Sequence, residues 1–172
     1  MRNRRLLRTM AGISAAATLA LIPSVGSAAT ATADLSVSAT VTNNCTISTA
    51  AVSFGSYDPV VANAATSLEG TGTVTVACTK GATATIALGT GGSSSGSNRR
   101  LSDGTGNNYL NYELYRDSGR SIVWGTTGTN LLSPAAAESK APREFPVYGR
   151  VTNNQDIPAG SYSDTVVATV NF

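Results

Sequence analysis

Few stretches of this 172-residue sequence carry residue types suited to catalysis. The segment GSSSG (residues 92–96) matches the G-x-S-x-G pattern of hydrolases, with Ser94 at the nucleophile position. That chemistry needs a strand before the serine, a helix after it and a histidine to accept its proton. The sequence contains no histidine, and the residues around Ser94 are typical of a loop. Ser94 is therefore not predicted to be a nucleophile.

The other candidate sites are weaker still. The same glycine-rich stretch lacks the Gly-Lys-Ser/Thr that completes a phosphate-binding loop. The segment SDGTGNN (residues 102–108) offers one carboxylate, Asp103, where a calcium loop needs several, so Asp103-Gly104 is interpreted as a turn. The remaining acidic residues are scattered. The sequence predicts a protein without enzymatic activity, metal, cofactor or small-molecule substrate.

The first 29 residues have the features of a secretory signal. Four arginines precede an apolar run rich in small residues, and the segment closes on Ser27-Ala28-Ala29, which resembles a cleavage site. Four of the 12 basic residues lie in this segment, which leaves 8 basic against 10 acidic residues, a net charge of −2. Beyond it, Arg99-Arg100 is the only basic cluster. Export is predicted, and nucleic acid is not an expected partner.

Two cysteines, Cys45 and Cys78, follow the signal. In an oxidising compartment an isolated pair is expected to form a disulfide. A metal pair would need further ligands, and a redox site would favour C-x-x-C spacing. We therefore predict one structural disulfide, Cys45–Cys78.

Strand patterns dominate the rest of the chain, because apolar and polar residues alternate with period two between clusters of turn residues. The segments with this pattern are residues 34–42, 73–78, 82–88, 109–115, 121–124, 145–151 and 163–172. RDSGR (residues 116–120) is interpreted as a hairpin connection with Gly119 at positive φ, and residues 89–100 and 132–146 as long loops. The sequence predicts a single β-sandwich of immunoglobulin-like architecture, with a closed barrel as the alternative.

The last predicted strand poses a structural problem. Residues 163–172 place Val166, Ala168, Val170 and Phe172 on one face, and no later segment in the sequence supplies a neighbouring strand. If this is the sixth strand of a seven-strand fold, an apolar groove lies open beside it. Residues 30–41 have the length and alternation to fill such a groove from another chain. On alternation alone, however, residues 34–42 could equally be the domain's own first strand.

Three segments resemble the spore coat protein U domain family, which includes subunits of the archaic, Csu-type chaperone–usher pili. They are the C-terminal GSYSDTVVATVNF (residues 160–172), LNYELYRDSGR (residues 110–120) and FPVYGRV (residues 145–151). The cysteine pair and GTGTVTVACT (residues 70–79) also fit. The resemblance implies an incomplete immunoglobulin-like pilin of six strands that lacks its seventh. It also implies three partners: a periplasmic chaperone, an outer-membrane usher and neighbouring pilin subunits, in a homopolymer or a mixed fibre.

The resemblance also assigns roles to residues. Leu35, Val37, Ala39 and Val41 would lie in a donor strand within residues 30–42, and residues 43–172 would form the pilin domain. Val166, Ala168, Val170 and Phe172 would line the acceptor groove, and the chaperone would grip the terminal carboxylate of Phe172.

The predicted function is that of a shaft subunit of a surface fibre used for adhesion and biofilm formation. A secreted coat protein of spores or cysts is the main alternative. A secreted carbohydrate-binding module, with Trp124, Tyr109, Tyr112 and Tyr115 as a stacking platform, is a weaker one, because a lone tryptophan in a sandwich is usually part of the core.

Overall fold

The computed structural model describes residues 26–172. Most of the predicted signal segment therefore lies outside the described residues. The chain divides into two units at Ala39 and Thr40. In the described part of the first unit, residues 26–39, the backbone forms neither helix nor strand and every side chain is exposed.

The second unit is all-β. Its seven strands are β1 (Cys45–Ser53), β2 (Leu68–Cys78), β3 (Thr85–Leu88), β4 (Arg99–Ser102), β5 (Tyr109–Tyr115), β6 (Arg143–Val151) and β7 (Ala168–Asn171). A single 3-10 turn covers Gly128–Asn130. Five strands form one antiparallel sheet in the order β1-β2-β6-β5-β4, and β3 pairs antiparallel with β7 in a second sheet. No helix in this part of the chain is long and apolar enough to cross a membrane.

The core lies between the two sheets and follows the period-two alternation of the strands. Trp124, Ile86 and Val151 are fully buried, and Val74 and Val76 of β2 are 1% exposed. The indole N–H of Trp124 donates a hydrogen bond to the carbonyl of Ile86 at 2.9 Å, so this buried polar group is satisfied. The immunoglobulin-like all-β class predicted from the sequence is confirmed, although this unit has seven strands where six were predicted.

The predicted disulfide is also confirmed. Cys45 and Cys78 are directly opposite each other in the β1–β2 register, and their sulfur atoms are bonded at 2.01 Å. The bond joins the first residue of β1 to the last residue of β2. It therefore fixes one end of the edge strand to its neighbour.

The strand assignment differs from the sequence prediction in several places. Strands β1 and β4 were not predicted, residues 34–42 form no strand, and residues 121–124 make only an isolated bridge, between Val123 and Tyr115. Residues 89–100 were predicted to be an exposed loop throughout, but Arg99 begins β4 and is only 3% exposed. The long loop predicted over residues 132–146 ends where β6 begins, at Arg143.

Arg99 is buried because other segments supply its hydrogen-bond acceptors. Its guanidinium donates to the carbonyls of Leu88 at 3.0 Å, Gly89 at 2.7 Å and Trp124 at 2.7 Å. It also forms an ion pair with Glu113 of β5. These acceptors lie 10 to 25 positions away along the chain, so no local sequence pattern predicts that Arg99 is buried.

The turn after β5 also differs from its prediction. The residue at positive φ is Arg120, at 52°, and Gly119 is not in that region. The Asp117 carboxylate accepts hydrogen bonds from the amides of Ile122 at 2.7 Å and Ser121 at 3.1 Å, which fixes the backbone after the turn. Arg120 meanwhile pairs with Glu69 at 2.9 Å. A side-chain cap and an ion pair thus hold a non-glycine residue in the left-handed region.

This turn gives a pH-dependent expectation. The hydrogen bond from the amide of Ile122, with a smaller contribution from Ser121, lowers the pKa of Asp117 below its ordinary value of 3.8. A lowered carboxyl pKa stabilises the fold above the unfolded-state pKa, and that contribution is lost as the pH falls through the folded-state pKa. Wild type should therefore melt at a higher temperature than Asp117→Asn at pH 7, with the difference shrinking below about pH 4. Thermal melts of both proteins between pH 2.5 and pH 7 test this. A difference that is constant with pH would contradict it.

Candidate functional site: an open apolar groove

A groove runs along the second unit between the end of β1 and the chain that leads into β7. We call it the open groove. Its wider part has a volume of about 790 Å³ and lies between residues 51–57 and residues 157–164. Its narrower part, of about 320 Å³, lies between residues 49–54 and residues 164–168. Both parts share Val52, Phe54, Leu101 and Asp164, so the groove is continuous.

The floor of the open groove is largely apolar. It is formed by core residues of the five-stranded sheet, namely Leu68, Val74, Leu101, Leu110, Tyr112, Leu114, Val147 and Val151. Most of these side chains are nearly or fully buried. An occupant of the groove would therefore extend the existing core.

Glycines beneath the end of β1 shape one wall. Gly149 lies on the core face of β6, and a Cβ there would approach the Phe54 ring to 2.7 Å and Val52 to 2.8 Å. Gly70 and Gly72 of β2 are similarly covered by the chain from Ala50 to Phe54. The absence of side chains at these positions lets Phe54 reach inward to an edge-on contact with Tyr112, with ring centroids 6.0 Å apart.

The two walls present strand edges without partners. Among residues 26–172, β1 pairs only with β2 and β7 pairs only with β3. The carbonyls of Thr165 and Val167 accept hydrogen bonds from the amides of Gly92 at 3.1 Å and Gly89 at 2.9 Å. Backbone N–H and C=O groups alternate in direction along an extended chain. Those of Val166 and Ala168 therefore point away from the loop that contains Gly89 and Gly92. The groove thus combines an apolar floor with strand edges able to pair.

One carboxylate stands in the groove wall where its two parts meet. Asp164 accepts a hydrogen bond from the Tyr112 hydroxyl at 2.7 Å and another from the amide of Ser93 at 3.0 Å. Burial, reinforced by the hydrogen bond to Asp164, raises the pKa of Tyr112 above its ordinary value of 10. The phenol therefore stays protonated and acts as a donor. No sequence pattern had singled out Asp164.

The predicted site residues fall in different places. Val166 and Ala168 line the narrow part of the groove. Val170 packs against the core beside them, whereas Phe172 is 54% exposed. Leu35, Val37 and Val41 are 83–87% exposed, and Ala39 is exposed as well. The β1 wall, including Val52 and Phe54, was missed because CTISTAAVS has few large apolar residues; Ile47, Val52 and Phe54 were the available signal.

The aromatic stacking platform considered above is not present. Trp124 is completely buried and Tyr112 is 6% exposed, so neither can stack on a sugar. The expectation that the tryptophan belongs to the core is confirmed. Ser94 lies in the loop before β4, where no helix follows it, and residues 26–172 contain no cluster of three potential metal-ligating side chains. The Asp103-Gly104 pair does form a turn, with Gly104 at a φ of 83°.

An immunoglobulin-like sandwich with unpaired strand edges beside an apolar groove is typical of incomplete β-sandwich subunits. The Spore Coat Protein U domain matches residues 31–169, and this chain belongs to that family. It is 42% identical over 176 residues to Protein U of Myxococcus xanthus, a match that covers 95% of this chain and 96% of that protein.

A solved structure shows the same fold. It is a chain of the CsuC–CsuE chaperone–tip adhesion subunit pre-assembly complex from the archaic chaperone–usher Csu pili of Acinetobacter baumannii. The TM-score is 0.57 at 25% sequence identity. The match covers 77% of this chain and 41% of that one, so this chain spans less than half of its structural neighbour.

Proposed function

We propose that this chain is a structural subunit that polymerises by donor-strand complementation into a surface fibre. In this assembly, the exposed segment of one copy, residues 30–42, lies in the open groove of the next. The single observation that supports the proposal best is the open groove, whose walls carry unpaired strand edges on both sides of an apolar floor. An extended apolar segment satisfies both features at once.

The energetics favour such an occupant. Leu35, Val37 and Val41 are at least 83% exposed in the free chain. Full burial of each large apolar side chain contributes roughly 1.5–3 kcal/mol, and Ala39 less. Each main-chain hydrogen bond formed along a groove wall adds about 0.5–1.5 kcal/mol. Several such contributions together offset the cost of ordering a dozen residues and give a long-lived contact.

The presence of a groove and a donor segment in one chain supports an interior position in the fibre. A copy that fills one groove while its own groove is filled makes a heterologous contact that does not close on itself, so it propagates. We therefore propose a shaft subunit, in a homopolymer or a mixed fibre, and we propose adhesion and biofilm formation as the use of that fibre.

The proposed assembly route includes two further partners. A periplasmic chaperone would cover the groove before assembly, as the likeness to a chaperone–subunit complex supports. An outer-membrane usher would exchange the chaperone strand for residues 30–42 of the next copy. This route begins with export, for which residues 1–29 are the proposed signal. The proposed contact of the chaperone is Phe172, which is more than half exposed.

A spore or cyst coat protein is the second candidate. The observation in its favour is the 42% identity to Protein U over nearly the full length of both chains. Both candidates are structural and non-enzymatic, and both can use the groove. Immunogold labelling of the producing bacterium separates them, because label on filaments of growing cells supports the pilus, whereas label confined to the envelope of resting cells supports the coat.

The polymerisation test is a single substitution in the donor segment. The oxidised chain, purified after export, should form detergent-resistant multimers that appear as a ladder on an unboiled gel and collapse on boiling. Val37→Arg should abolish the ladder, because burying an unpaired charge in an apolar groove costs far more than the groove gains from the remaining side chains. The readout is the fraction of protein in multimers, expected to fall at least tenfold.

Ser36→Arg is the matched control. It adds the same charge one residue away, on the opposite face of the alternating segment, and should leave the ladder intact. Equal ladders for Val37→Arg and wild type would contradict donation by this face. A monomer band in all three proteins would contradict polymerisation altogether.

A further inference from the structure

The C-terminal wall of the open groove is held from behind by a loop. Residues 89–93 run beside the segment that leads into β7, and three of their amides donate to it. Gly89 and Gly92 donate to the carbonyls of Val167 and Thr165, and Ser93 donates to the Asp164 carboxylate at 3.0 Å. Residues 164–167 are thus held by the loop although they belong to no strand, and Ser163 just before them forms an isolated bridge with Ser102 of β4.

Among residues 163–167, Asp164 is the only one whose side chain hydrogen-bonds to this loop. The loop is also held from its other side by Arg99 at Gly89 and by Arg100 at Ser93. The second oxygen of Asp164 accepts from the Tyr112 hydroxyl at 2.7 Å, so one carboxylate joins the loop, the wall and the floor. The loop approaches closely at Gly91, which has a φ of 91° and where a Cβ would overlap the carboxylate. The contact therefore depends on a glycine at that position.

We propose that Asp164 is a positioning residue for strand acceptance, acting through Tyr112 and the loop of residues 89–93. This inference rests on the proposed function and names a determinant of it. The carboxylate holds residues 164–168 extended, so that the free edge at Val166 and Ala168 is already in a pairing conformation when a donor segment arrives. Both of its oxygens already accept hydrogen bonds, so the donor segment does not meet an unpartnered carboxylate in the wall.

A preorganised edge should act mainly on the rate of assembly. If the wall is ordered before the donor arrives, the entropic cost of ordering it does not add to the barrier of the association step. A flexible wall would have to order while the donor enters, and an unengaged Asp164 would expose the donor to an unpaired charge.

The experiment combines two measurements on the full exported, oxidised chain. The first is the rate of multimer formation, followed on unboiled gels at one protein concentration. The second is hydrogen exchange at the amides of Gly92 and Ser93 in the monomer. Asp164→Ala should slow assembly at least tenfold, because the loss of even one hydrogen bond to a charged group corresponds to about that factor, and should speed exchange at both amides. Tyr112→Phe, which keeps the ring, should have the same effects to a smaller degree.

Two further variants serve as controls. Asp164→Asn keeps an acceptor for Ser93 and a polar partner for Tyr112, so it should recover most of the assembly rate. Asp156→Ala removes an exposed carboxylate from the same connection and should change neither measurement. A general loss of stability would speed exchange in β2 and β6 as well, whereas loss of positioning confines the change to the loop and wall.

The outcomes are distinct. Assembly of Asp164→Ala at the wild-type rate, or unchanged exchange at Gly92 and Ser93, would overturn the inference. If wild type formed no multimers, the proposed function would fail. The exchange measurement would then still decide whether Asp164 orders the wall.

Discussion

Replacing Arg99 by methionine is expected to lower the free energy of unfolding by about 3–5 kcal/mol. Methionine preserves the length of the aliphatic stem but removes every donor. The carbonyls of Leu88, Gly89 and Trp124 then lose their partner, and the Glu113 carboxylate loses its ion pair in a partly buried setting. An unpaired buried acceptor costs its full desolvation penalty, so the loss exceeds the net value of the bonds themselves. Urea denaturation followed by tryptophan fluorescence measures the change.

The neighbouring arginine is the natural control. Arg100 donates to the carbonyl of Ser93 and lies over the Tyr109 ring at 3.8 Å, but it is partly exposed. Arg100→Met should therefore cost about 1 kcal/mol or less, in line with exposed polar contacts. Adding Glu113→Gln to Arg99→Met should recover part of the loss, because it removes the stranded charge. Equal costs for the two single arginine variants would contradict this account of Arg99.

Removing the disulfide is expected to have an effect of similar size. Cys45→Ser with Cys78→Ser should lower the free energy of unfolding by about 4 kcal/mol, the chain-entropy value for a loop of some 34 residues. The double variant leaves no unpaired thiol behind. Its midpoint of denaturation should match that of wild type kept in reductant. If both oxidised and reduced wild type unfolded at the same denaturant concentration, the bond would contribute nothing.

Loss of the disulfide should also affect the β1 wall of the open groove. β1 is the edge strand whose outer side forms one wall, and the disulfide ties its first residue to β2. Without the bond, β1 depends on its hydrogen bonds and on the packing of Ile47, Val52 and Phe54. We therefore expect the double variant to assemble more slowly than its remaining folded fraction alone predicts.

The sequence predicted the elements whose signals are local. Tyr109–Tyr115 forms β5 as predicted, because apolar and polar residues that alternate over seven positions indicate a strand with one buried face. The disulfide could be predicted because export and an isolated pair of cysteines leave few alternatives. Core placement of Trp124 followed from its size.

The parts that the sequence did not predict depend on distant contacts. β4 begins at Arg99, whose burial depends on acceptors from β3, β5 and the Trp124 segment. β1 carries small and polar residues because it is an edge strand with much of its surface exposed. The last strand is shorter than its alternation suggests. Thr165 and Val167 accept hydrogen bonds from a loop that was predicted to be exposed, and Ser163 forms only an isolated bridge with Ser102 of β4.

The same limit applies to the groove. The alternation of the last predicted strand pointed to Val166 and Ala168, which line the narrow part of the groove, while their role as acceptor residues stays a prediction. The second wall of the groove and the Asp164 contacts could not be predicted, because they arise where β1, the glycine-rich loop and the C-terminal segment meet in space.

The position of the disulfide has a mechanical consequence. Tension applied to residues 30–44 enters the domain at Cys45, the first residue of β1. The covalent bond passes that load to Cys78 and on into β2, which lies inside the five-stranded sheet. Force along this route bypasses the hydrogen bonds between β1 and β2, so the edge strand cannot be unzipped one residue at a time from the end that is pulled. Rupture would instead require the shearing of an interior strand, which breaks many hydrogen bonds together.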